Sequence, residues 1–130
     1  MTSDLAARIE AAEAGEQREL LEEAWEECCR ESLSFRRFAC TTIPGGDGWT
    51  MTGRFIRMID AGAYESAALM LVPEGRDWSV AMHTLGDETR AAVARILRPN
   101  GIGLNTAAPT PALALAAAAL RAKENDRGVR

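Results

Sequence analysis

The run TPALALAAAALRAK, residues 110–123, constrains the fold of this chain more than any other stretch. Alanine is the strongest helix former, threonine is a favoured N-cap, and proline is tolerated at the first helical position. The run therefore predicts a helix that begins after Thr110. Leu113, Ala117 and Leu120 recur along one stripe, and alanine side chains let a helix axis approach a sheet closely. Because aromatic residues make up only 5% of the chain, we expect a core of small, close contacts.

The N-terminal quarter is helical in its pattern and strongly acidic. Apolar residues recur at three- and four-residue steps over 3–32, and Gly15 divides them into two helices. Residues 1–32 hold ten acids and three arginines, a net charge of −7, so residues 33–130 carry +3 of the total of −4. We interpret this either as a solvated helix face or as an acidic surface for a basic partner, such as a nucleic-acid-binding protein. The candidate contacts on the second helix are Glu16, Glu19, Glu22, Glu23, Glu26 and Glu27.

The middle of the chain predicts a first hairpin and then a helix. Strand-like runs at 35–43 and 49–55 flank the turn sequence PGGDG. A short helix is expected over 61–72. Pro73 and Gly75 end it, because proline lacks a donor and glycine permits the positive φ of a turn.

A second hairpin is predicted further along. Residues 78–85 alternate, which places Trp78, Val80 and Met82 on one face of a strand. A partner strand is expected over 91–98, although AAVARIL also fits a helical turn. The segment before the last helix is expected to be a connecting loop.

These elements predict one α+β domain over residues 1–123 and a frayed tail over 124–130. Its antiparallel sheet consists of the two hairpins, and the helices pack on it as an alpha-beta sandwich.

The stretch AALMLVPEGRDWSV at 67–80 predicts a helix that ends before a tryptophan, and it is followed downstream by the terminal TPALALAAAALRAK. Together these two motifs resemble the phage ABA sandwich domain. The opening DLAARIEAAEAGEQRELLEEAW is similar to the first helix of that family. The resemblance covers much of 4–30 and 61–123. It implies the fold and an origin as a small phage or prophage protein, but no established activity, so it transfers no catalytic residue.

The sequence contains no recognisable catalytic or metal-binding pattern. His83 is the only histidine, and strand alternation alone explains why Ser79 shares its face. Cys28, Cys29 and Cys40 lack the spacing of a zinc site or a disulfide framework and are interpreted as reduced, mostly buried thiols. We therefore predict a protein that is not an enzyme and that uses no cofactor and no metal.

Two regions are candidates for binding. Trp49, beside the PGGDG turn, is either an exposed anchor for a partner protein or a core residue packed on Phe35 or Phe38. The sequence NGIGLNTAAPTPA leads to a helix N-terminus, which favours a small anion such as a nucleotide. The residues assigned to that ligand are Arg95, Arg98, Thr106 and Thr110.

The first hairpin also carries four arginines. Arg36, Arg37, Arg54 and Arg57 make at most a modest basic patch, without lysines or interleaved exposed aromatic residues. Direct binding to nucleic acid is therefore disfavoured.

These observations predict a phage or prophage accessory protein that acts by binding another protein of the host or the phage. The most concrete form is a host-defence antagonist such as an anti-CRISPR. The alternatives are a protein that binds or sequesters a small ligand such as a nucleotide, and a phage structural or assembly protein that forms a homodimer or larger homo-oligomer. No apolar run reaches the length of a membrane span and the N-terminus does not resemble a secretory signal, so we expect the host cytoplasm and no membrane.

Overall fold

The computed structural model describes residues 2–45, 48–73, 75–84, 90–97, 103 and 105–128. This part of the chain forms helices and one antiparallel sheet, which confirms the predicted α+β class. The helices are α1 (Thr2–Glu10), α2 (Gln17–Glu31), α3 (Leu33–Ala39), α4 (Met51–Asp60), α5 (Tyr64–Leu69) and α6 (Pro111–Gly128). The strands are β1 (Trp78–Thr84), β2 (Arg90–Ile96) and β3 (Asn105–Ala108). A 3₁₀ turn at Ala14–Glu16 separates α1 from α2, as the position of Gly15 predicted.

The sheet has the order β1-β2-β3, with both pairs antiparallel. The second predicted hairpin is confirmed, because Trp78 pairs with Ile96 and Thr84 with Arg90. Residues 91–96 of AAVARIL, which also fitted a helical turn, thus belong to strand β2. Leu85 and Arg98, at the ends of the two predicted strands, lie outside the described residues. One face of the sheet is buried under helices and the other is open to solvent. The buried face includes Ala92, Ala94, Ile96, Thr106 and Ala108.

Helix α6 lies at the centre of the molecule. Its N-terminus is capped as predicted, because the Thr110 hydroxyl accepts a hydrogen bond from the amide of Leu113 (3.2 Å). Every residue over 112–120 is buried, whereas the sequence predicted a single buried stripe. The reason is that α6 packs on the sheet and also against α1, α2 and α5. A helix that is apolar all round suits that position. The helix continues through Gly128, and the frayed tail expected over 124–130 stays a prediction.

The first predicted hairpin is wrong, because most residues of its two runs lie in the helices α3 and α4. Only an isolated bridge between Thr42 and Thr50 remains of the expected pairing. Two side-chain caps start these helices. The Ser32 hydroxyl accepts from the amide of Phe35 (3.2 Å), and the Thr50 hydroxyl accepts from the amide of Gly53 (3.1 Å). Such caps satisfy amide groups that a helix start leaves unpaired.

Tertiary packing gives the physical reason for that correction. Trp25 of α2 stacks on Phe55 of α4, with 4.4 Å between ring centroids, and meets Phe35 of α3 edge to face at 4.9 Å. Helical spacing lets Phe35 and Ala39 face inward together, and likewise Phe55 and Ile59. The β-propensity of the phenylalanines is overridden by burial around Trp25.

The sheet contains a third strand, in a segment that was expected to be a connecting loop. Strand β3 has four residues, of which Thr106 and Ala108 are buried and the other two exposed. Gly103, two residues before β3, lies close to the backbone of β2. A Cβ added at Gly103 would lie 2.8 Å from the carbonyl oxygen of Ile96. So short a strand forms because it pairs with β2. The alternation of residues in the sequence does not reveal that pairing.

The helix predicted over 61–72 forms as the shorter α5, and Gly75 after it has the expected positive φ of 81°. Among the described residues, no helix combines the length and the apolar character that a membrane span requires.

Candidate functional site

Trp49 lies on the surface at the start of α4. Its indole rests against the helix at Gly53, where an added Cβ would lie 2.9 Å from Cε3. The guanidinium of Arg57, one turn further along, lies 4.3 Å from the centre of the indole ring. The side chain is nevertheless 40% exposed. Trp49 is therefore an exposed aromatic group, and it makes no ring contact with Phe35 or Phe38 within the described part of the chain. Its role as an anchor for a partner protein stays a prediction.

A shallow open groove of about 670 Å³ lies beside this indole. One wall comes from the turn after α3 and the other from α4 and the residues that follow it. The walls are mainly apolar, with two arginines among them. The lining residues are Ile43, Pro44, Gly45, Trp49, Arg54, Arg57, Met58, Ala61 and Ala63. We call this the Trp49 groove.

The Trp49 groove carries positive charge that the described residues do not neutralise. Arg54 and Arg57 are exposed, and within the part of the chain that the structure describes neither forms an ion pair with a carboxylate. Arg36 is not part of the groove, because its side chain donates to the backbone carbonyls of Cys29 and Arg30. An apolar floor beside two available guanidinium groups suits a partner that carries both an apolar side chain and a carboxylate.

The predicted acidic face of α2 is partly neutralised within the molecule. Glu22 pairs with Arg18 (3.3 Å), Glu23 with Arg8 (2.9 Å), and Glu27 with Arg30 (2.9 Å). Glu27 is also buried, at 7% exposure, so it does not belong to an external contact surface.

Three glutamates of that face stay available. Glu16, Glu19 and Glu26 are exposed, and no ion pair with a described residue engages them. The acidic surface is therefore smaller than the sequence indicated.

The structure does not bring the predicted ligand residues together. Arg95 lies on the open face of the sheet, where its Nε donates to Asn105 (2.9 Å), whereas Thr106 is buried on the opposite face. Thr110 caps α6 and also donates to the Gln17 side chain (2.8 Å). Arg98 lies outside the described residues. No common ligand site forms from the three that the structure places.

The other side chains considered for chemistry, which are a histidine, a serine and three cysteines, lie in different parts of the molecule. His83 and Ser79 are exposed on the open face of β1. Burial raises the pKa of the Cys28 thiol to about 11, and burial also raises the pKa of the Cys29 thiol. Cys40, by contrast, is exposed, although the thiols were expected to be mostly buried. Among the residues the structure describes, no three His, Cys, Asp or Glu side chains are grouped to hold a metal ion.

Sequence reasoning identified Trp49 but missed the groove around it. The arginines were grouped with Arg36 and Arg37 because the segment was interpreted as a strand. A signal was present: Arg54, Arg57, Met58 and Ala61 recur at helical spacing after a threonine N-cap.

Comparison with known proteins gives no match to a protein-family model, to a curated protein or to a solved structure. The resemblance to the phage ABA sandwich domain stays a prediction from its motifs.

Proposed function

We propose that this protein acts by binding a protein partner, without catalysis, and that the Trp49 groove is the contact surface. The observation that carries the proposal is the exposed indole of Trp49, held against Gly53 and beside the available guanidinium groups of Arg54 and Arg57. Tryptophan and arginine are among the residues enriched at the positions that dominate binding energy in protein interfaces.

The shape of the groove favours a protein over a small molecule. Small-ligand sites enclose most of the ligand surface, whereas the Trp49 groove is open along its length. A loop or an extended segment of a partner fits such a groove, with an apolar side chain against Met58 and a carboxylate at Arg54 or Arg57. Two arginines are too few for a nucleic-acid surface, which needs many phosphate contacts.

A second candidate uses the acidic side of the molecule. Glu16, Glu19 and Glu26 are exposed on or beside α2 and are available to a basic protein. The host-defence antagonist, such as an anti-CRISPR, is the narrower form of this candidate. Its motivation is the phage-like motifs together with the charge asymmetry of the chain.

One set of variants separates the two candidates. Tagged protein is used for affinity capture from a host lysate treated with nuclease, and the captured partner is then purified and titrated. Trp49→Ala and Arg54→Glu test the Trp49 groove, with Arg37→Glu as a charge control on a neighbouring helix. The triple variant Glu16→Gln, Glu19→Gln, Glu26→Gln tests the acidic face.

We expect Trp49→Ala to weaken the affinity about 30-fold, as loss of a central interface anchor does. Arg37→Glu and the triple glutamine variant should bind like the wild type. Loss of binding in the triple variant alone would move the contact to the acidic face, and equal binding by Trp49→Ala would refute the groove.

A further inference from the structure

Among the described residues, strand β1 forms an edge of the sheet with which no further strand pairs. Within the described chain, its neighbours are β2 on one side in the sheet and α6 below. The strand contains no proline and no acidic or basic residue other than His83, and its register with β2 runs unbroken from Trp78 to Thr84. Edge strands usually carry charges, prolines or bulges that prevent pairing with another chain. None of these devices is present on β1.

Apolar side chains are exposed along the same edge. Trp78 and Met82 are 45% and 39% exposed, although they lie on the face of the sheet that the helices cover. The opposite edge is different, because β3 has only four residues and packs against α1 and α6. Of the two edges, β1 is therefore the one that is better suited to pair with a strand of another chain.

One hydrogen bond determines which backbone groups of β1 face outward. The amide of Leu97 donates to the carbonyl of Asp77 (2.8 Å), one step beyond the pair of Trp78 with Ile96. In an antiparallel ladder, alternate residues direct both backbone groups to the same neighbour. Ser79, Ala81 and His83 thus bond to β2. The residues that present N–H and C=O groups at the free edge are Trp78, Val80, Met82 and Thr84.

The outward backbone groups of β1 are complementary to the same groups of a second copy of the strand. If a second copy lies antiparallel about a two-fold axis at Ala81, Trp78 faces Thr84 of the second copy and Val80 faces Met82. Every outward backbone group of one strand then meets an outward group of the other. A shift of the register by two residues leaves one end of each strand unmatched. Such a shift is therefore less favourable.

The side chains agree with that register. Val80 and Met82 pair across the axis on the helix-covered face, where Trp78 gains cover from Thr84 of the second copy. On the open face, Ala81 faces itself in a pair without hydrogen bonds, where Cα atoms approach to about 4.5 Å and only small side chains fit. No like charges meet, because His83 of one copy faces Ser79 of the other in this register.

We propose that β1 is the interface of a two-fold symmetric dimer, in which the strands of two copies pair antiparallel about Ala81 and join their sheets. The interface is separate from the Trp49 groove, so it stands or falls independently of the proposed function. An isologous contact of this kind closes on itself and does not propagate into fibres.

The test is the mass of the full chain by sedimentation velocity from low micromolar to submillimolar concentration. We expect the mass to double with concentration from that of the 14.0 kDa monomer. Ala81→Arg places like charges opposite each other at the axis and should raise the dissociation constant at least about tenfold. Ala107→Arg is the matched control, because Ala107 is exposed on β3 in the same row across the sheet. It should leave the dissociation constant unchanged.

Cross-linking tests the register directly. In a background with Cys29→Ala and Cys40→Ser, Ala81→Cys should form a disulfide-linked dimer under mild oxidation, because the paired Cβ atoms lie close across the axis. Ala107→Cys should not. A wild-type chain that stays monomeric at every concentration, or a dimer that Ala81→Arg does not weaken, overturns the proposal. Equal cross-linking of the two cysteine variants overturns the register.

Discussion

The indole N–H of Trp25 donates a hydrogen bond to the hydroxyl of Thr52 (3.1 Å), and that hydroxyl donates in turn to the backbone carbonyl of Ala39 (3.0 Å). This relay joins α2, α3 and α4, and the indole of Trp49 rests against α4 at Gly53. The stack of Trp25 on Phe55 lies beside it. The helix beneath the Trp49 indole is thus joined to its neighbours by a polar contact beside an aromatic stack.

Replacing Thr52 by valine should destabilise the protein by about 1–3 kcal/mol. The substitution keeps the shape but leaves the Trp25 N–H and the Ala39 carbonyl without their partner. Urea unfolding measures the effect, with Thr52→Ser as the control that preserves the hydroxyl. A change below about 0.5 kcal/mol in Thr52→Val would show that the relay contributes little.

Enlarging Ala117 to leucine should lower the free energy of unfolding by about 1–3 kcal/mol or more, because α6 is enclosed on all sides and has no space for added carbons. Ala7→Leu on the exposed side of α1 is the control and should change stability by less than about 0.5 kcal/mol. Thermal or urea unfolding compares the two. Equal stability of the variants would contradict the enclosed position of α6.

Stability should fall at high pH through Cys28. Burial raises the pKa of this thiol from its ordinary value near 9 to about 11, although the charge of Lys123 opposes the change. The native state therefore keeps a proton that the unfolded chain releases. The stabilisation is present below pH 9 and is lost as the pH rises from 9 to 11, on the order of 2 kcal/mol.

Urea unfolding at several pH values across that window measures this loss, with Cys28→Ala as the reference. The variant should be less stable at neutral pH, but its stability should depend less on pH between 9 and 11 than that of the wild type. Parallel curves for the two proteins would mean that Cys28 is not the responsible group.

Gly53→Ala should move the indole of Trp49 without unfolding α4. Alanine favours a helix interior by about 0.5–1 kcal/mol over glycine, so stability should hold or rise. The new Cβ would lie 2.9 Å from the indole, which must shift away from the helix. The indole N–H resonance of Trp49 in a heteronuclear NMR spectrum should move while that of Trp25 stays.

Gly15→Ala is the control for that experiment, because nothing lies within 4 Å of the position its Cβ would take. It should leave all indole resonances in place. An unchanged Trp49 resonance in Gly53→Ala would indicate that the indole does not rest on Gly53.

The candidate site was only partly predictable from the sequence, because some of the contacts that decide which charges are available join residues far apart along the chain. Trp49 was identified from its place beside a turn. The ion pair of Arg8 with Glu23, by contrast, joins two helices, and that of Arg18 with Asp60 spans α2 and α4. Such contacts neutralise charges that a sequence pattern counts as exposed.

Local propensity in the sequence accounts for the α+β class and the capped start of α6. It also predicted the hairpin of β1 with β2, although a helical turn fitted the second strand equally. Long-range packing places Phe35 and Phe55 on helices and adds Asn105–Ala108 to the sheet. Among the described residues it also leaves β1 at an edge of the sheet. The physical reason is that a segment compatible with helix and strand adopts the state that buries more apolar surface against distant partners. Here the decisive partner of α3 and α4 is Trp25, and that of β3 is the strand β2.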